Sequence, residues 1–182
     1  MRLFVALDTS VDTEKIFSLE KILMRRFTNV KWVEKQNLHL TLKFLGEVSE
    51  ERIDTISNAL DKISVLANPF EFCYSGISGF PNSFRAKVVF VSTENNEKLV
   101  ELMKTVDREF STLGFKKERN YIPHLTLGRV RNGSVNLNHL DNLHFSKLFV
   151  KAKGVILFKS TLTRNGPIYE KVLSFDLHGN KL

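Results

Sequence analysis

The chain has 182 residues, 42% of them hydrophobic and 26% charged, which excludes a disordered chain and suits one compact domain or two small lobes sharing an interface. A net charge of +7 and a pI near 9.5 favour anionic partners, nucleic acid first, although a merely soluble cationic surface has the same composition. The single cysteine, Cys73, excludes an internal disulfide and fits a reducing cytoplasm, and no apolar run reaches membrane-spanning length.

In chain order, Arg2 to Asp8 is a short apolar run and predicts a buried strand, after which Asp8, Thr9 and Ser10 offer helix caps. Ile16, Leu19, Leu23 and Met24 recur at helical spacing to about Phe27. Val30 to Val33 predicts a second strand, and the alternating stretch Leu38 to Leu45, ended by Gly46, a third. Ser49-Glu50-Glu51-Arg52 opens a helix with Ile53, Ile56, Leu60 and Ile63 on one face. Asn68-Pro69 breaks it, Phe70 to Ile77 reads as a strand, and Ser78 to Ser83 as a turn. Cys73 lies among aromatic residues and is expected to be buried and inert. Ala86 to Val91 is a strand, Glu94 to Leu113 a helix closed by Gly114, and His124 to Val130 another strand. A short helix near Leu137 to Leu143 and strands at Lys147 to Phe158 and Lys171 to Leu177 complete the order. Adjacent strands interspersed with helices predict an α+β fold with mainly antiparallel sheets.

One tetrapeptide stands out. His-Leu-Thr-Leu occurs at His39–Leu42 and again at His124–Leu127, 124 − 39 = 85 positions apart. With 24 Leu and 11 Thr in the chain, a given His is followed by Leu-Thr-Leu by chance on the order of once in a thousand, and two of only five histidines do so. The repeat suggests two related halves sharing one site.

On a strand, side chains alternate faces, so His39 and Thr41 point one way and Leu40 and Leu42 the other, with His124 and Thr126 repeating the pattern. Two such strands side by side would bring two imidazoles and two hydroxyls to one cleft. That set suits a phosphoryl centre. Hydrolysing a phosphodiester needs a base for water and an acid for the leaving oxygen, and imidazole serves either role near neutral pH. Threonine hydroxyls can donate to nonbridging oxygens. A single copy would be explained as an ordinary half-buried strand; two copies are not. No His-Glu-x-x-His, cysteine pair or carboxylate cluster accompanies the motif histidines, so neither metal nor cofactor is expected. His139, His144 and His178 have no motif context.

Paired His-x-Thr-x motifs at this separation resemble those of the 2H phosphoesterases, and within them the RNA 2′,3′-cyclic phosphodiesterases, also called 2′-5′ RNA ligases or LigT-like proteins. Arg2 to Asp8 resembles the family's opening strand. Asn37-Leu38-His39-Leu40-Thr41-Leu42-Lys43-Phe44-Leu45-Gly46-Glu47-Val48 and Pro123-His124-Leu125-Thr126-Leu127-Gly128-Arg129-Val130 resemble its two signatures. Ser160 to Thr163, followed by Gly166-Pro167-Ile168-Tyr169-Glu170, resembles its C-terminal region.

The resemblance implies a single domain over residues 1–182 made of two pseudo-symmetric lobes. It also implies helices on the outside, pseudo-twofold symmetry and a central catalytic cleft. The implied activity is hydrolysis of RNA 2′,3′-cyclic phosphate ends, tRNA fragments among them, to 2′-phosphates in the cytoplasm by a monomer. By the same resemblance His39 is the proton donor, His124 the proton acceptor, and Thr41 and Thr126 bind phosphate; the near symmetry of the site does not itself assign the histidines. Arg129 and Phe44, each five residues after its histidine, are implied RNA and nucleotide contacts, although plain alternation puts both on the face opposite the histidines; a twist or bulge near Gly128 would re-aim Arg129, and Phe44 reads equally as a core residue. Many relatives carry Arg and Trp after the Phe-Pro turn where this chain has Lys87 and Phe90, so the resemblance makes Lys87 a substrate contact that keeps the charge while bidentate phosphate contact and the indole are lost. Open alternatives are 2′-5′ ligation, a small cyclic-nucleotide or ADP-ribose cyclic phosphate substrate, and a noncatalytic RNA or nucleotide binder.

Overall fold

A computed structural model describes residues 1–9, 13–140, 146–164, 166–178 and 180. The strands are β1 (Arg2–Thr9), β2 (Val30–Trp32), β3 (Thr41–Glu47), β4 (Phe70–Phe80), β5 (Val88–Glu94), β6 (His124–Val130), β7 (Leu148–Leu162) and β8 (Pro167–Asp176). The helices are α1 (Thr13–Arg26), α2 (Ile53–Leu66) and α3 (Glu97–Thr112). The α+β class and the antiparallel pairing are as the sequence predicts.

The order across the sheet is β2-β6-β5-β4-β7-β1-β3, with β8 pairing β7 off that path. The strands on either side are hydrogen-bonded into this one path where Phe70–Tyr74 of β4 pairs Leu148–Ala152 of β7. The 85-residue spacing of the motifs extends to whole elements. Shifted by 85, α1 falls on 98–111, within α3, and β1 falls on 87–94, which is β5 with one residue to spare. β3 shifts to 126–132 against β6. Each motif strand also lies beside its counterpart neighbour: β3 pairs β1, and β6 pairs β5.

The core forms because one face of each element is apolar. Leu3, Val5 and Leu7 of β1 are buried with Ile16, Leu19 and Leu23 of α1, Ile56, Leu60 and Ile63 of α2, and Leu99, Leu102, Val106 and Phe110 of α3. Helix α3 ends at Gly114 (φ +83°), as the sequence indicates. The Phe115 N–H donates to the Phe110 carbonyl and the Gly114 N–H to the Ser111 carbonyl, which satisfies two carbonyls of the last turn. The rings of Phe115 and Phe110 close the contact, with centroids 5.5 Å apart.

Several boundaries differ from expectation. Asp8 and Thr9 belong to β1 rather than to a cap, and Ser10 lies outside the described residues. β4 runs on to Phe80 through the stretch read as a turn, because it stays paired with β5 up to Phe80↔Val88. β5 begins at Val88, two residues later than predicted; Ala86 instead bridges Val135. Glu50–Arg52 is a 3-10 turn leading into α2, and α3 starts at Glu97. Of the predicted helix at 137–143, Asn138–Leu140 is a 3-10 turn and the remainder beyond Leu140 lies outside the described residues, as does His144. Cys73 is buried, with its thiol toward the Glu94 carbonyl. Among the described residues no helix is long and apolar enough to cross a membrane.

Candidate active site

The two motifs meet. Leu40 and Leu125 form an isolated antiparallel bridge that joins the β3 side to β6. Continued one residue each way, that register sets His39 across from Thr126 and Thr41 across from His124. Four motif side chains therefore share one face, while Leu40, Leu42, Leu125 and Leu127 are buried behind them. One expectation is corrected here: His39 precedes the first residue of β3, so the first motif enters its strand rather than sitting wholly within it.

Each imidazole is held in the same way. His39 Nδ1 lies 2.7 Å from the Asn37 carbonyl, and His124 Nδ1 lies 2.7 Å from the Ile122 carbonyl, in both cases two residues upstream. A carbonyl only accepts, so each Nδ1 carries the hydrogen and each Nε2 is left for chemistry. Asn37 is itself anchored, its side-chain amide donating to the Pro167 carbonyl at 2.9 Å.

Aromatic rings pack each histidine in parallel fashion. His39 has Phe4 at 4.7 Å and Tyr169 edge-on at 5.1 Å. His124 has Phe90 at 5.1 Å and Phe80 edge-on at 5.0 Å. Burial against these rings lowers both imidazoles below their ordinary range. The Asn37 and Ile122 carbonyls oppose the shift; the charge of His124 adds to it at His39, and that of Arg129 at His124. Those two effects also place His39 within the field of His124 and His124 within that of Arg129. Burial raises Tyr169, against the pull of Arg129 and Arg2.

Both residues five positions past the histidines reach the site face, and bulges are the reason. β5 is regular, yet Val89 pairs Gly128 and Phe90 pairs Thr126, leaving Leu127 as an extra residue on β6. Val88 then pairs Arg129, so Arg129 shares a face with Phe90, Thr126 and His124. On β3 the extra residue between the partners of Val5 and Ala6 is Leu42, 85 positions before Leu127, and a second, Leu45, follows. Phe44 thereby pairs Phe4, lies 6.1 Å from its ring, and is 61% exposed. Gly128 permits the second bulge to carry another strand: a Cβ there would meet Val30 Cγ1 at 2.5 Å and Trp32 Cε3 at 3.0 Å, both on β2.

Lys87 is exposed just before β5, its backbone tied to the Phe80 carbonyl and to Val130. Among the described residues no hydrogen bond or ion pair brings its ammonium to the histidines.

Three rings beside the histidines, Phe4, Phe80 and Tyr169, escape sequence reasoning. For Phe4 the available signal is parity with Ala6 on β1; for Tyr169 only tertiary pairing reveals it. Lys43 is also missed. It points behind β3, fully buried, and donates to Asp107 Oδ1 at 2.5 Å and to the Lys116 carbonyl at 2.8 Å. Asp107 further accepts from the Tyr121 hydroxyl at 2.8 Å and the Glu118 N–H at 3.1 Å. Burial works to raise the Asp107 carboxyl, but these donors together hold it below the usual range. Lys43 on the first motif strand thus fixes the loop that delivers Ile122 and His124 of the second. A cavity of about 450 Å³ between α2 and α3, lined by Ile63, Leu66, Lys98, Leu102 and Arg108 among others, includes no motif residue.

A family model described as LigT-like phosphoesterase matches the chain twice, over residues 9–90 and 89–169. The chain belongs to the LigT-like phosphoesterases. In this 2H family each matched segment carries one of the two motifs, in keeping with the 85-residue repeat. Its relatives include the RNA 2′,3′-cyclic phosphodiesterase of Methanocaldococcus jannaschii, 40% identical over 179 residues, covering 94% of this chain and 98% of that one. The protein of the same name from Thermotoga maritima is 32% identical over 182 residues, covering 98% and 97%. Among solved structures, the TT0787 protein of Thermus thermophilus superposes with a TM-score of 0.80 at 26% identity, covering 98% of this chain and 99% of that one. Escherichia coli LigT complexed with 3′-AMP superposes with a TM-score of 0.76 at 23% identity over 96% and 97%, and shares the fold.

Proposed function

We propose that this LigT-like protein hydrolyses RNA 2′,3′-cyclic phosphate ends to 2′-phosphates by two-histidine acid–base catalysis. It would act as a monomeric single domain of two related lobes in the cytoplasm, tRNA fragments being one source of such ends. The observation that supports this reading is the Leu40–Leu125 bridge, which brings the two His-x-Thr-x segments side by side, each imidazole with its Nδ1 on a backbone carbonyl. The shared name of the relatives from M. jannaschii and T. maritima supports the substrate class.

In this reading Thr41 and Thr126 donate to the nonbridging oxygens. His124 Nε2 takes a proton as water oxygen bonds to phosphorus. The P–O3′ bond breaks in line, and protonated His39 gives its Nε2 proton to the departing O3′. The product is a 2′-phosphomonoester and a free 3′-hydroxyl. General acid–base assistance supplies roughly 100- to 10,000-fold per group. The reading assigns both proton transfers to imidazoles and asks no metal for either.

The test is incubation with an oligonucleotide bearing a 2′,3′-cyclic phosphate in excess EDTA, followed by product identification. A 2′-phosphomonoester is expected. Loss of turnover in EDTA would overturn the metal-free assignment, and a 3′-phosphomonoester would overturn the choice of leaving group.

A further inference from the structure

The two lobes match around the histidines but not along the arms that leave them. Past Thr126, the end of β6 lies between β2 and the start of β5. Segments 28–33, 79–89 and 127–135 build that end, and they contain no Asp or Glu. They carry five cations, Lys31, Arg85, Lys87, Arg129 and Arg131, all exposed. Among the described residues none of the five is in an ion pair. The corresponding arm past Thr41 is mixed: Arg2, Arg164 and Lys171 lie there with Glu47, and Lys159 is paired to Glu170 at 3.4 Å.

Within the basic arm, Lys31 of β2 pairs directly across from Arg129 of β6. Cross-strand partners share a face, and the bulge at Leu127 puts that face on the histidine side. Like charges directly opposite one another destabilise a sheet. A pair kept in that position on the site face is explained by an anion between them. Thr126 and Arg129 pair Phe90 and Val88, two residues apart on β5, so Arg129 lies roughly 7 Å along the strand from Thr126 at ~3.3 Å per residue, and Lys31 one strand farther out. The pair is thereby set beside the phosphate under attack rather than on it.

We propose that Lys31 and Arg129 together seat a backbone phosphate of the RNA chain upstream of its cyclic end, so that the polynucleotide leaves the site along the β2–β6 arm. This rests on the proposed function and deepens it. The preferred substrate is an oligonucleotide, and a cyclic mononucleotide, which has no upstream phosphate, forgoes the contact.

The experiment compares kcat/KM for an oligonucleotide with a 2′,3′-cyclic end and for a 2′,3′-cyclic mononucleotide, in wild type, Lys31→Ala and Lys31→Arg. Lys31→Ala is expected to lower the oligonucleotide-to-mononucleotide ratio about tenfold, mainly through KM, with Lys31→Arg restoring it. The salt dependence of oligonucleotide binding should fall by about one in log–log slope in Lys31→Ala. An unchanged ratio, or equal loss on both substrates, overturns the proposal while leaving the phosphodiesterase reading intact. Wild-type protein that cleaves neither substrate overturns that reading, and this inference with it.

Discussion

The half around His39 and the half around His124 agree in the layer proposed to meet phosphorus and part company immediately behind and beyond it. In both, a carbonyl two residues upstream holds Nδ1, two aromatic rings pack the imidazole, and a bulge follows the threonine. Behind the strands, Lys43 of the first half corresponds by the 85-residue shift to Gly128 of the second. One is the centre of a buried ion pair, and the other is the gap that admits β2. Beyond them, exposed Phe44 corresponds to Arg129. A phosphate in line between an attacking and a leaving oxygen is nearly symmetric, so the reacting layer can be duplicated. The nucleic acid chain of the proposed substrate is attached to one side only, and on that proposal the outer layer departs accordingly.

The largest effect should come from breaking the symmetric layer. His39→Ala and His124→Ala should each cut turnover by about 100- to 10,000-fold, by similar factors, with unfolding transitions unchanged. Single-turnover kinetics on a cyclic-ended oligonucleotide measures this, and full activity in either variant would falsify the paired mechanism.

The layer behind tests the asymmetry through stability. Lys43→Met leaves Asp107 buried without its cation and should destabilise the fold by about 3–5 kcal/mol in denaturant melts. Gly128→Ala forces a methyl against Val30 and Trp32 and should cost less, about 1–3 kcal/mol. Equal losses at the two positions would mean that they are structurally equivalent after all.

A subtler effect concerns pH. Both imidazoles are lowered from 6.5 chiefly by burial, so the free enzyme holds one protonated and one neutral ring only on the acid side of that value. The kcat/KM profile should be a bell peaking below pH 6.5. A peak on the alkaline side would show that burial does not set these titrations.

A last contrast is between the buried acids of the two repeated helices. Asp107 on α3 has three donors, whereas Glu20 on α1 is fully buried with neither carboxylate oxygen partnered among the described residues, and burial pushes it up to about 8. With the folded value above the ordinary 4.5, the native state binds more protons than the unfolded chain between those two pH values. Stability therefore falls as pH rises from about 4.5 to 8 and levels off beyond. Glu20→Gln should remove that slope in melts across the range, and an unchanged slope would place the proton elsewhere.

Much of the molecule is legible in its letters. The repeated His-Leu-Thr-Leu, the alternation that buries Leu40, Leu42, Leu125 and Leu127, the helical stripe of α3 and the glycine that stops it all follow from local chemistry. Period, side-chain face and capping need only a few neighbouring residues. The long-range facts belong to tertiary structure alone. These are the Leu40–Leu125 bridge, the extra residues at Leu42 and Leu127 that turn Phe44 and Arg129 toward the histidines, and the packing of Tyr169 on His39. Such features depend on which strands become neighbours and in what register. That choice is made by the burial of whole faces at once, and a one-residue slip reverses every side chain beyond it.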